Sequence, residues 1–320
     1  MQNTFDNEAD FRQERDFGQK ISATFEFIRA HFRPLARVML TLVVPAALLR
    51  SIVEVLGASR LTGVAQEAMQ TSSGVWGMQR QMYGAYLGQP LYWFSISLNT
   101  AFFTLLLLTV YGYLRCCLER PTARPGLPAA EITPAQVWAV VKQQFISTFF
   151  SIWAVAILTA VAMLVFFIPG VYLGVLLSLF FVIKVMEGTS FSTTLSRCSF
   201  LIKGKWWSTF GLLMVMVLLL YVLIIALSLV SVALSGGLQG LLHIATRESP
   251  ILMVGIMALY SLIQLLVYPV LLLVLAFQYF NLVERRDGLG MSKLVAQIGQ
   301  LPATATVRNE TYRADEEGEY

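Results

Sequence analysis

MEGTSFSTTLSRCSFLIKGKWWSTF, Met186 to Phe210, separates two long apolar runs and ends on Lys203-Gly204-Lys205 followed by Trp206-Trp207. Within it Phe191, Leu195, Cys198 and Ile202 recur at steps of four, three and four residues, which places them on one face of an α-helix. Gly188 precedes that helix and Gly204 follows it. The spacing predicts a helix lying in a membrane interface, with its apolar stripe toward acyl chains and Arg197, Lys203 and Lys205 toward anionic headgroups. Trp206 and Trp207 then mark headgroup depth where the chain turns inward, because an indole tolerates one apolar and one wet side.

The flanking sequence decides whether a membrane is there. Hydrophobic residues make up 57% of the 320-residue chain and charged residues only 13%, far from the soluble norm. Gln81 to Leu114, Gln143 to Ile183, Trp206 to Thr246 and Ser249 to Val283 each lack Asp, Glu, Lys and Arg. Each exceeds the roughly 20 residues that one crossing needs. The first apolar run starts near Leu35, behind a charged leader, and reads as a retained span.

The expected fold is therefore all-α, a polytopic membrane bundle of about six transmembrane helices. They are placed at about Leu35 to Leu56, Leu91 to Leu114, Phe145 to Phe167, Gly170 to Met186, Trp207 to Leu234 and Ile251 to Val283. Ile168-Pro169-Gly170 is the one connection too short to hold anything, so it predicts an antiparallel hairpin of the third and fourth spans. Three hairpins result, with a leader over 1–34, a membrane domain over 35–283 and a tail over 284–320 whose acidic end is expected to be disordered.

Basic residues orient this bundle, since cytoplasmic loops retain them. Seventeen lysines and arginines fall in the leader, the second and fourth connections and the tail, against Arg60, Arg80 and Arg247 on the other side. Both termini are thus expected in the cytoplasm, with a bacterial inner membrane as the location. An amphipathic segment precedes each odd-numbered span. Ile21, Phe25, Ile28 and Phe32 form one stripe, and Val137, Val141 and Phe145 follow a capping box at Thr133-Pro134-Ala135-Gln136.

From Ile168 to Leu213 the chain reads IPGVYLGVLLSLFFVIKVMEGTSFSTTLSRCSFLIKGKWWSTFGLL. This stretch resembles the membrane-domain family associated with glycerophosphoryl diester phosphodiesterases. The resemblance implies membrane architecture only, because the hydrolytic members carry a separate soluble domain with His, Glu and metal-binding acids, and no such sequence is found here.

Chemistry-bearing residues are few. His31 and His243 are expected on opposite faces, and no catalytic, phosphate-cradling or metal-ligand motif is present, so neither a cofactor nor a metal is expected. Four polar residues at depth form a candidate intramembrane site: Arg50, Glu54, Asn99 and Gln264. Arg50 and Glu54 stand i,i+4 apart and can pair. A midplane charge costs about 2.5 to 3.5 kcal/mol on insertion scales, and the preferred reading is a pair snorkelling at the outer interface. Asn99 and Gln264 more often bridge helices than bind a ligand. The leading function is a non-enzymatic membrane scaffold or accessory component for envelope partners or lipids. A small-solute or lipid transporter is the alternative and an intramembrane enzyme comes third. The bilayer, a membrane or envelope protein and a second copy of the chain are the expected partners, and nucleic acid is not one.

Overall fold

The computed structural model describes residues 5, 8–54, 87–119, 131–242 and 250–288. Every regular element among them is an α-helix. In chain order these are α1 (Glu8–Phe11), α2 (Phe17–Leu42), α3 (Val44–Glu54), α4 (Pro90–Leu118), α5 (Pro134–Val165), α6 (Phe167–Leu177), α7 (Phe180–Glu187), α8 (Phe191–Ile202), α9 (Trp206–Leu242) and α10 (Pro250–Asp287). The sixth predicted span therefore opens one residue early, and most of the segment between the first two spans, the 120–130 stretch, His243 and the acidic tail lie outside the described residues.

Local sequence explains the helix ends. Asp16 opens α2 through a capping box in which the Gln19 side chain accepts from the Asp16 backbone N–H at 2.9 Å. Thr133 and Gln136 do the same for α5, with Pro134 at its first position. Gly188 ends α7 at φ +64° and Gly204 forms the α8–α9 corner at φ +77°, a region in which a Cβ is disfavoured.

Among the described residues, four helical stretches are long and apolar enough to cross a membrane: Pro90–Leu118, Pro134–Val165, Phe167–Glu187 and Gln264–Asp287. Two bent pairs raise this to six if each counts as one span. They are α2 with α3, at 45°, and α8 with the start of α9, at 100°. α4 and the second half of α10 form the centre, with 67% and 72% of their apolar windows buried, whereas α5 buries only 11%. Ile146, Phe150, Val161 and Leu164 stand exposed along α5. An apolar face of that extent is the surface expected against lipid.

The structure corrects the sequence reading in three places. The turn between the third and fourth spans is the single extended residue Phe166, and Pro169 and Gly170 belong to the first turn of α6. Gly170 is there for contact: a Cβ on it would lie 2.5 Å from Met163 Cγ and 2.6 Å from its Cα. Next, amphipathic segments were expected to stand apart from the first and third spans. Instead α2 runs from Phe17 through Pro34 to Leu42, kinked at His31, and α5 is one helix from Pro134 to Val165.

Finally, the stripe of α8 points inward, not toward lipid. Cys198 and Ile202 are buried with Leu201 and Thr194, because α6, α7 and α10 pack against that face. On α2, by contrast, the stripe divides: Phe25 and Phe32 are exposed and Ile21 and Ile28 pack against neighbours, while Lys20, Thr24, Phe27, His31 and Leu35 beside it are buried. Phe5 and Phe11 of the leader are buried in an aromatic cluster with Phe27, Phe277 and Phe280, all centroids within 6.4 Å of a neighbour.

Candidate functional site

The four polar residues singled out in the apolar runs come from three different helices and meet. Arg50 on α3 donates from Nε to Glu54 Oε1 at 2.8 Å, one turn further along the same helix. Its Nη1 donates to Gln264 Oε1 on α10 at 2.9 Å. Asn99 Nδ2 on α4 donates to the same Glu54 oxygen at 3.4 Å. The guanidinium plane lies over the rings of Phe102, at 4.9 Å, and Phe103, at 5.8 Å. A planar cation that is weakly hydrated suits such a slot better than an ammonium would.

Arg50 is 5% exposed. The snorkelling preference is thus corrected: the side chain turns inward, since Gln264 and the two phenylalanines supply what the interface would have. Buried charge is tolerated when paired and hydrogen-bonded. Glu54 carries two donors on one oxygen, and its side chain stays partly open, at 23%.

A cavity of about 330 Å³ adjoins this cluster, lined by Ser95, Ile96, Asn99, Thr100 and Phe103 of α4 and Ile152 of α5. Of the four polar residues only Asn99 lines it. Its wall carries hydroxyl and amide groups, while the ion pair faces the junction of α3 with α10.

The predicted interfacial anchors fare differently from one another. Arg197 does not face outward. It donates to Glu187 Oε1 at 3.1 Å and pairs with Asp287, tying α8 to α7 and α10. Tyr279 Oη donates to the same Glu187 oxygen at 3.0 Å. Trp206 donates from Nε1 to the Tyr172 carbonyl at 3.2 Å and stacks between Tyr172 and Phe210. Trp207 is 77% exposed, and Lys203 and Lys205 are exposed beside it.

Sequence reasoning missed Lys20, which is 3% exposed. A signal was available: Lys20, Thr24, Phe27 and His31 share a helical face about 100° round from the chosen stripe. It also missed Gln278, buried within the last span, whose Nε2 donates to Thr209 Oγ1 at 2.9 Å.

The described chain is thus an all-helical protein with four to six helices fit to cross a membrane and a buried polar clamp among three of them. Comparison with protein-family models, curated proteins and solved structures finds no match to it.

Proposed function

We propose that this chain is a multi-pass bacterial inner-membrane protein, with six spans and both termini in the cytoplasm, that acts without catalysis as a scaffold or accessory component for envelope partners or lipids. The observation that carries this reading is the way Arg50 is engaged. Its donors go to Glu54 and Gln264 and its face to Phe102, so the one buried charge pair of the cluster is committed to holding α3, α4 and α10 together. The resemblance of Ile168 to Leu213 to the phosphodiesterase-associated membrane domain agrees with a shared architecture and adds no activity.

The rival transporter reading draws on the cavity beside Asn99, which places hydroxyl and amide groups within reach of the partly open Glu54. One pair of measurements separates the two. Affinity capture in mild detergent is expected to retain a defined protein partner in constant ratio, while proteoliposomes of the purified chain pass no small solute faster than empty vesicles. Solute flux that Glu54→Gln abolishes would replace the scaffold with the transporter. Reporter fusions after Lys205 and after Tyr320 are expected on the same face, and opposite faces would refute the topology.

A further inference from the structure

Lys20 stands in the first turn of α2, almost wholly buried, and its ammonium has neither a hydrogen bond nor an ion pair among the described residues. Its surroundings are fixed by several contacts. Ile21, the next residue, packs against Leu212 and Met216 of α9 and Val274 of α10. The backbone N–H of Arg15 donates to Asn281 Oδ1 at 2.8 Å, and Arg285 Nε donates to the same oxygen at 3.4 Å. Arg286 donates to the Lys203 carbonyl and so pins the corner from which α9 starts. The start of α2 is therefore held against the end of α10, and that end is tied in turn to the corner from which α9 starts.

Charges of both signs are brought there, two cations and two carboxylates, and both carboxylates stand at exposed positions. Arg285 and Lys205 act against the ammonium, and Asp16, the exposed cap of α2, is the carboxylate that acts in its favour. Glu14 stands 3.5 Å from Arg285 on the outer side. An ammonium at the tip of a largely buried side chain, with no acceptor among the described residues, is disfavoured, and the two cations that act against it add to that. A bound anion removes that penalty.

We propose that Lys20, Lys205 and Arg285 form a site for a phosphate group. Three rotatable ammonium donors on each lysine and the fork of an arginine suit phosphate oxygens, and charge-assisted bonds are the strong ones. Lipid headgroup and free phosphate share this chemistry. The headgroup is favoured by an apolar groove of about 290 Å³ between Ile28, Phe32 and Leu35 of α2 and Leu265, Pro269 and Val270 of α10. It opens about 12 Å along α2 from Lys20, within reach of an acyl chain whose phosphate sits at the lysine. This site does not depend on the scaffold reading: it lies about 32 Å along α10 from Gln264.

Native mass spectrometry of the full chain in mild detergent, offered phosphatidylglycerol or diacylglycerol, tests the proposal, with ³¹P spectra of inorganic phosphate as the second arm. Retention of phosphatidylglycerol is expected to exceed that of diacylglycerol by about tenfold or more. Lys20→Met and Lys205→Gln should each lower it about tenfold, and Lys20→Arg should keep most of it. Lys205 is exposed, so its variant folds whether or not Lys20→Met does. Inorganic phosphate binding that depends on Lys205, with no preference for the phospholipid, would keep the site and make free phosphate its ligand. Equal retention of the two lipids together with phosphate binding unaffected by Lys205→Gln would overturn the proposal.

Discussion

Arg50 has partners on three helices, so removing one side of its ion pair leaves a charge buried without a counter-ion. Arg50→Leu or Glu54→Leu alone is expected to cost about 3 to 5 kcal/mol. The joint replacement Arg50→Met with Glu54→Leu should cost clearly less than either, since no charge is stranded. Gln264→Leu removes only an acceptor and should cost about 1 to 3 kcal/mol. Thermal unfolding in detergent measures all four, and equal costs for single and joint variants would show that the pair is not coupled. Lys20 gives a second residue-scale test. Burial first, then the Arg285 charge, lowers its pKa to about 8, against the opposing pull of Asp16 and with a smaller push from Lys205. With the folded value below the unfolded one near 10.4, the unfolded chain holds the extra proton between them. Stability should therefore rise as pH increases from about 8 to 10, and the Lys20→Met variant should lose that rise. Pairing at i,i+4 made Arg50 and Glu54 legible from the chain alone. Asn99 and Gln264 were legible as polar residues in apolar runs, but their meeting with Glu54 and Arg50 was not, because it joins positions up to 214 residues apart.

At the scale of elements, the α5–α6 hairpin and the α8–α9 corner depend on glycine for two different reasons. Gly170 is needed for space: Met163 backbone and side-chain atoms leave no room for a Cβ. Gly170→Ala is expected to separate the two helices at a cost of about 1 to 3 kcal/mol. A disulfide-crosslinking scan between α5 and α6 would register the shift as altered pairing efficiency. Gly204 has open space around it but a φ of +77°, so Gly204→Ala strains the backbone alone, by about 1 kcal/mol. The corner keeps its 100° bend partly through Arg286 on the Lys203 carbonyl, and Arg286→Met should act in the same direction. Helix α8 teaches a limit of periodicity. Its 3.6-residue stripe correctly locates a buried face, yet the stripe cannot say whether protein or lipid covers it, because both present hydrocarbon. The answer came from Thr194, Cys198 and Ile202 packing under α6, α7 and α10.

For the whole molecule, the leader is a structural part of the bundle. Phe5 and Phe11 fill an aromatic cluster on α2 and α10, and Arg15 lies 5.2 Å over the Phe277 ring. Phe11→Ala is expected to cost about 3 to 5 kcal/mol, read as a lower midpoint of detergent-solubilised unfolding; a change under 1 kcal/mol would mean the leader merely rests on the surface. Apolar runs free of charge, glycines, the Thr133 cap and helical periodicity are local properties, and from them the chain alone determined an all-helical protein with stretches fit for a membrane. Which face of α2 is covered, what covers the stripe of α8, that Arg50 turns inward and that Lys20 is buried were decided only by tertiary structure. Those outcomes depend on contacts between helices far apart in the chain, and no local pattern encodes which distant side chain will arrive to satisfy a charge.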